Sequence, residues 1–254
     1  NTKTTMAQSI ARCTIRGAMR ARTVVLAQRA FSISAKLDTL ATDLPHFEVV
    51  AYPQKSMKWS TSDAKKYSNA FAAGLIEEGF GAGDSLAVWM PHDTPEMLVA
   101  KLAAARIGLK LVVIDMEMAD PEQLKNIFNE TKAKGLVYDP EALDRYNTDI
   151  LMEVMPELKT FESEFGGLFR SRAVPSMKKL FHTGIDLIKG AQNYKFVMVY
   201  DPMPSIYPPL PAKDTPLFVS YGVDGKASPT YTQESVLEVW GDIKSILDKS
   251  HKSY

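Results

Sequence analysis

Val219-Ser220-Tyr221-Gly222-Val223-Asp224-Gly225-Lys226-Ala227-Ser228-Pro229 reads as a strand end running into a turn punctuated by two glycines. Its outline is that of a loop that grips phosphate. Such a loop needs glycines for close backbone approach, hydroxyls and free N–H groups as donors, and a lysine for charge. Gly222 and Gly225 meet the first need, but Val223 and Asp224 stand between them, and an aspartate repels a polyphosphate. With Ser220, Gly222, Gly225, Lys226 and Ser228 as its remaining polar and glycine positions, the stretch is expected not to bind ATP. Two glycines three apart also mark an ordinary turn.

Working outward, the chain alternates helix and strand patterns, as expected of an α/β fold with a largely parallel sheet. A helix is expected over about 62–78, with Ala64, Tyr67, Phe71 and Leu75 on one face and Gly79 as its stop. Strands are expected at 86–90, 110–115, 136–139 and 217–221, and a buried strand at 195–200. Pro95 suits the first turn of a second helix ending at Gly108. Asp120 caps a third that runs to Gly135, and a fourth is expected over 140–155. Residues 159–193 read as a long connection. Residues 201–216, rich in proline, read as irregular chain. A final helix over about 232–249 places Val236, Val239, Trp240, Ile243 and Leu247 on one face. About two hundred residues bury a substantial core, so one compact domain is the expected count, with 1–37 as a separate arm and 38–254 as the domain.

Beyond the glycine turn, several segments recur in a familiar order: Trp59-Ser60-Thr61-Ser62, Ser68-Asn69-Ala70-Phe71-Ala72-Ala73-Gly74-Leu75, Gly81-Ala82-Gly83-Asp84, Met90-Pro91-His92-Asp93-Thr94-Pro95-Glu96 and Ala103 to Asp115. With Met155-Pro156-Glu157-Leu158 and Val174-Pro175-Ser176-Met177-Lys178-Lys179, this order resembles the first part of the adenylate-forming enzymes, the AMP-dependent acyl-CoA synthetases, and most of all their medium-chain branch. The resemblance runs from about Phe47 to Leu247. It implies the N-terminal subdomain of that fold. The family's loop is T-S-G-T-T-G-x-P-K-G, so Val223 and Asp224 replace hydroxyls and Ser228 replaces its lysine. The family's adenine, ribose and acyl sites and its mobile lid lie beyond the matching region. On this reading the chain is a truncated, degenerate relative.

From Asn1 to Leu37 there are seven basic residues (Lys3, Arg12, Arg16, Arg20, Arg22, Arg29 and Lys36) and no acidic one. That is the composition of a mitochondrial transit peptide, and Arg29-Ala30-Phe31-Ser32 has the outline of a cleavage site leaving a start near Ser32 or Ile33. The plainer alternative is a basic arm for nucleic acid or anionic lipid. Residues 38–254 carry 23 basic against 30 acidic residues, so no nucleic-acid partner is expected. No apolar run is long enough to span a membrane. Cys13 is the only cysteine, so the domain has no disulfide, thiolate nucleophile or cysteine metal site. His46, His182 and His251 are scattered, without ligand spacing, and no metal or cofactor is expected.

His92-Asp93, in a turn before a helix, suits capping better than catalysis; Asp115 and Glu117, after a strand, suit a turn but also the rim of a crevice. No catalytic residue is assigned. Arg170 and Arg172 are candidate contacts for a protein partner, as is the apolar face of the last helix, which the resemblance implies would otherwise pack on the rest of an enzyme domain. The expected function is a non-catalytic, synthetase-like accessory subunit of a mitochondrial assembly on the matrix side. The ATP synthase or a respiratory complex is favoured over the mitochondrial ribosome. The alternatives are a divergent or split AMP-forming acyl-CoA synthetase, and a regulator that binds a nucleotide or acyl-CoA.

Overall fold

A computed structural model describes residues 32–52, 57–162 and 170–240, the side chains of 237–240 excepted. Helix α1 (Ile33–Asp43) leads into a hairpin of β1 (Glu48–Tyr52) and β2 (Met57–Ser60). Ser60 then starts α2 (Thr61–Glu77) with a reciprocal cap: its hydroxyl accepts from the Asp63 N–H, and the Asp63 carboxylate accepts from the Ser60 N–H at 2.9 Å. There follow β3 (Ser85–Trp89), α3 (Pro95–Ile107), β4 (Lys110–Ile114), α4 (Pro121–Glu130) and β5 (Ala133–Tyr138). A small hairpin of β6 (Glu141–Ala142) and β7 (Arg145–Tyr146) precedes α5 (Asn147–Val154). The later elements are β8 (Lys179–His182), β9 (Gln192–Asn193), α6 (Tyr194–Val197), β10 (Pro216–Tyr221), β11 (Tyr231–Thr232) and α7 (Gln233–Trp240).

Seven strands form the central sheet in the order β11-β10-β4-β3-β5-β8-β9, all parallel except β11. Alternate residues feed opposite faces, as the pleat requires. Leu86 and Val88 of β3, with Leu111 and Val113 of β4, join α2 and α3 in one core. Ala87 and Trp89, with Val112 and Ile114, join α4 and α5 in the other. Both faces are covered, which is why these strands read as unbroken apolar runs. Trp89, Phe71, Phe128 and Phe181 are fully buried, each contributing about 1.5–3 kcal/mol of transfer free energy.

Two contacts tie distant parts together. The Gln233 amide, buried at the start of α7, accepts from the Ile33 N–H and donates to the Ala105 carbonyl at 3.2 Å, joining α1, α3 and α7. Gly74 lets α6 touch α2: a Cβ there would lie 1.6 Å from the Val197 carbonyl oxygen.

The structure corrects several expectations. Residues 195–200 are not a strand: Asn193 caps the short α6, Tyr194 and Val197 turn inward, and Lys195 and Phe196 face solvent. The third helix stops at Glu130, and Gly135 lies inside β5, where Phe80 packs against the space a side chain would fill. Residues 140–146 form a hairpin rather than the first turns of a helix, with Leu143 and Asp144 at positive φ. The connection over 159–193 holds β8, a strand between β5 and β9 that is too short to show periodicity. The boundary at Leu37 cuts through α1, whose Ile33 and Leu37 are buried in the core. Val236 of the last helix is buried against the chain's own core rather than left for a partner. The remainder of the basic arm, Cys13, the side chains of Val239 and Trp240, and Ile243 and Leu247 lie outside the described residues.

Candidate functional site

In an open parallel sheet, a crevice forms at the carboxyl ends of the strands where successive connections leave for opposite faces. Here β3 continues into α3 on one face, and its neighbour β4 continues into α4 on the other. A cavity of about 720 Å³ opens at that place. Its walls are Pro91, His92 and Asp93 after β3, Asp115, Met116 and Glu117 after β4, and Ser220, Tyr221 and Gly222 at the end of β10. Val113 and Phe218 form the floor, and Lys101 enters from α3.

Lys101 is a cation on a helix that is otherwise apolar toward the sheet, between Leu98 and Leu102 and the wholly buried Ala104. Burial of the ammonium lowers its pKa from 10.5 to about 8. His92 is also pushed below its usual value, first by burial and then by the Lys101 charge, with Asp115 and Asp93 opposing. Its imidazole is therefore neutral at pH 7. Asp115, Asp93 and Glu117 are carboxylates, so the crevice combines an apolar wall with a net acidic rim.

The rim is held by a residue that the sequence did not mark. Arg145 on β7 donates to the carbonyl oxygens of Met116, Glu117 (3.2 Å) and Met118 (3.0 Å), and its guanidinium lies 5.6 Å from the Trp89 ring centroid. Asn147 orients it by accepting from its Nε at 2.9 Å. Asp115 also serves its own turn, accepting from the Glu117 N–H at 2.9 Å. Turn and crevice roles thus coexist at Asp115.

The glycine turn beside the crevice is closed on itself. The Gly222 N–H donates to the Lys226 carbonyl (3.1 Å), that of Gly225 to the Gly222 carbonyl (2.9 Å), and that of Ser228 to the Ser220 carbonyl (2.7 Å). The Ser220 N–H donates to the Ser228 hydroxyl at 3.0 Å, and the Lys226 N–H to the Asp224 carboxylate at 3.1 Å. Lys226 Nζ lies 2.7 Å from the same carboxylate, which lowers the pKa of Asp224 and raises that of Lys226. Gly225 sits at φ 73° against Gln123 of α4. The N–H groups of Ser220, Gly222, Gly225, Lys226 and Ser228 are thus spent within the turn.

The other residues marked in the sequence lie elsewhere. Arg170 and Arg172 are exposed in the connection before β8, where the Arg172 N–H donates to the Glu157 carboxylate at 2.9 Å. Neither lines the crevice. His182, at the end of β8, is wholly buried. Among the described residues no group of three or more His, Cys, Asp or Glu is arranged to hold a metal, and no helix is long and apolar enough to cross a membrane.

The domain is of the doubly wound α/β class, with a crevice at its switch point. Residues 37–221 match the model of the AMP-binding enzyme family, and the chain belongs to that family. It is 24% identical over 163 residues to YngI of Bacillus subtilis, a provisionally named acyl-CoA synthetase, covering 64% of this chain and 29% of that protein. It is 26% identical over 141 residues to the mouse mitochondrial medium-chain acyl-CoA ligase ACSF2, covering 56% of this chain and 22% of that protein. The fold is similar to acetoacetyl-CoA synthetase from Streptomyces lividans, with a TM-score of 0.63 at 18% identity over 81% of this chain and 31% of that one. The chain spans less than a third of the length of these relatives.

Proposed function

We propose that this chain is the N-terminal portion of a divergent acyl-CoA synthetase in which the switch-point crevice, rather than the glycine turn, receives the ligand. The observation that carries this reading is the contrast at the end of β10. The turn spends its donors on itself, while the neighbouring cavity of about 720 Å³ is open and lined by Val113, Met116 and Phe218. An apolar wall suits an acyl chain, and the carboxylates of Asp93, Asp115 and Glu117 disfavour a polyphosphate beside it. The named relatives act on acyl groups as CoA ligases, and ACSF2 is mitochondrial, which fits the basic arm as a targeting segment. Isothermal titration tests the reading: saturable binding of octanoyl-CoA with ATP bound far more weakly is expected. Binding of ATP alone would overturn it.

The closed turn also favours a second reading, a non-catalytic subunit of a mitochondrial assembly. Native fractionation of solubilised mitochondria with mass spectrometry of comigrating chains separates the two. Stoichiometric migration with one large complex supports the subunit. Migration as a free chain supports the ligand-binding protein.

A further inference from the structure

We propose that Arg145 is a positioning residue for the switch-point crevice: it touches no ligand, yet it fixes where Met116 and Glu117 meet one. The inference deepens the crevice reading and rests on it for the identity of the ligand.

Arg145 stands behind the crevice wall rather than in it. Its Nη2 donates to the carbonyl oxygens of Met116 and Met118, and its Nη1 to that of Glu117, all in the turn that forms one wall. Its Nε donates to Asn147, a wholly buried residue that in turn donates to the Asp139 carbonyl at 2.7 Å, just past the end of β5. The guanidinium carbon lies 5.6 Å from the ring centroid of Trp89, the last residue of β3, and Pro91, His92 and Asp93 beyond it also line the crevice. One cation thus ties together the ends of β3, β4 and β5, and the first two of these frame the crevice.

Carbonyl oxygens drawn to one point repel one another, and a positive group among them makes the arrangement favourable. The position of the wall therefore depends on this guanidinium. The existence of the turn does not: the Glu117 N–H donates to the Asp115 carboxylate and the Met118 N–H to the Asp115 carbonyl, so without Arg145 the turn shifts rather than unravels. Lysine cannot stand in, because its ammonium is a single point with three donors and not a planar fork that reaches separate oxygens.

The hairpin that delivers Arg145 is strained. Glu141 pairs with Tyr146 and Ala142 with Arg145, which leaves Leu143 and Asp144 as a two-residue turn, both at φ 56°. Asn-Gly adopts that geometry readily, and leucine resists it. Leu143 is also half exposed, so burial does not offset the strain. Strained turns persist where their surroundings hold them, and here the bonds of Arg145 and Asn147 do so. Because the strain sits outside the fork, stability and ligand affinity can be separated: relieving the turn restores the one without restoring the other.

The test uses the full chain, Arg145→Lys, the pair Leu143→Asn with Asp144→Gly, and the triple variant that combines them. Thermal unfolding gives stability, calorimetric titration of octanoyl-CoA gives affinity, and hydrogen exchange by mass spectrometry reads the amides of Glu117 and Met118. The turn pair should raise the thermal midpoint by about 2–4 °C and leave affinity unchanged. Arg145→Lys should lower the midpoint and weaken octanoyl-CoA by about tenfold. In the triple variant the midpoint should return toward the parent value, while binding stays weak and exchange at Glu117 and Met118 stays fast. Affinity that recovers with the midpoint would overturn the proposal, since Arg145 would then serve stability alone. If the parent binds octanoyl-CoA and the triple variant binds it equally well, the positioning role fails and the crevice reading stands. If the parent does not bind it, the crevice reading fails, and the exchange rates decide the role of Arg145: fast exchange in the triple variant supports it, and parent-like exchange overturns it.

Discussion

Two turns leave neighbouring strands at the same end of the sheet, and only one of them is clamped by a distant side chain. The turn at Gly222–Ser228 after β10 is tied by its own backbone and by an exposed pair between its own side chains, Asp224 and Lys226. The turn at Asp115–Met118 after β4 is clamped from outside by Arg145, which caps three of its carbonyl oxygens and leaves its carboxylates toward the crevice. A turn whose donors are bonded within it has fewer left to offer a ligand. The Asp115 turn has internal bonds as well, from the Glu117 N–H to the Asp115 carboxylate and from the Met118 N–H to the Asp115 carbonyl, but its clamp comes from another element. The stretch with the more recognisable sequence is therefore the less available of the two.

Breaking the external clamp should have the largest effect. Arg145→Ala leaves three carbonyl groups and a Trp89 face without their cation, and a loss of about 3–4 kcal/mol is expected in urea unfolding. The pH dependence of stability comes next. The unfolded chain keeps the Lys101 proton up to about 10.5 and the fold releases it at about 8, so between these values the unfolded state carries more protons. Stability should rise with pH from about 8 by at most about 3 kcal/mol, until the tyrosines held protonated by burial, Tyr52 and Tyr194, reverse the slope near 10. Lys101→Met should flatten that rise. His92 works in the same direction at lower pH: the unfolded chain takes up its proton near 6.5 and the fold resists, so stability falls as pH drops through that value.

Gly225→Val forces a branched side chain to φ 73° and toward the Gln123 amide, 2.9 Å from where its Cβ would stand. A loss of about 1–2 kcal/mol in the same unfolding experiment is expected. Asp224→Asn, at the exposed pair, should leave the thermal midpoint unchanged and raise ATP affinity slightly by freeing Lys226. A large drop in the midpoint would show that the pair, not the backbone, closes the turn.

The sequence was informative where one physical signal dominated. Runs such as Leu111-Val112-Val113-Ile114 name buried strands, and Thr94-Pro95 and Asp120-Pro121 name helix starts, because capping and burial are local. Segments decided by tertiary contact were illegible. Lys195–Tyr200 has strand composition, yet the contact between Val197 and Gly74 fixes it as a helical turn and an extended tail. The four-residue β8 has no period to read. The turn's missing hydroxyls were visible, but its closure was not, since that depends on which N–H meets which carbonyl. His92-Asp93 and Asp115 with Glu117 read in the sequence as two separate turns. Lys101 and Arg145 carry no local mark, because nothing nearby in the sequence separates a crevice lysine from one on a solvated helix face.

The claim that ligand enters the crevice and not the turn is tested most directly by titrating octanoyl-CoA into the parent chain, Lys226→Ala and Phe218→Asp. The account predicts equal affinity for the parent and Lys226→Ala, and a loss of at least about tenfold for Phe218→Asp, whose charge would sit on the apolar floor. Binding lost in Lys226→Ala and kept in Phe218→Asp would contradict it.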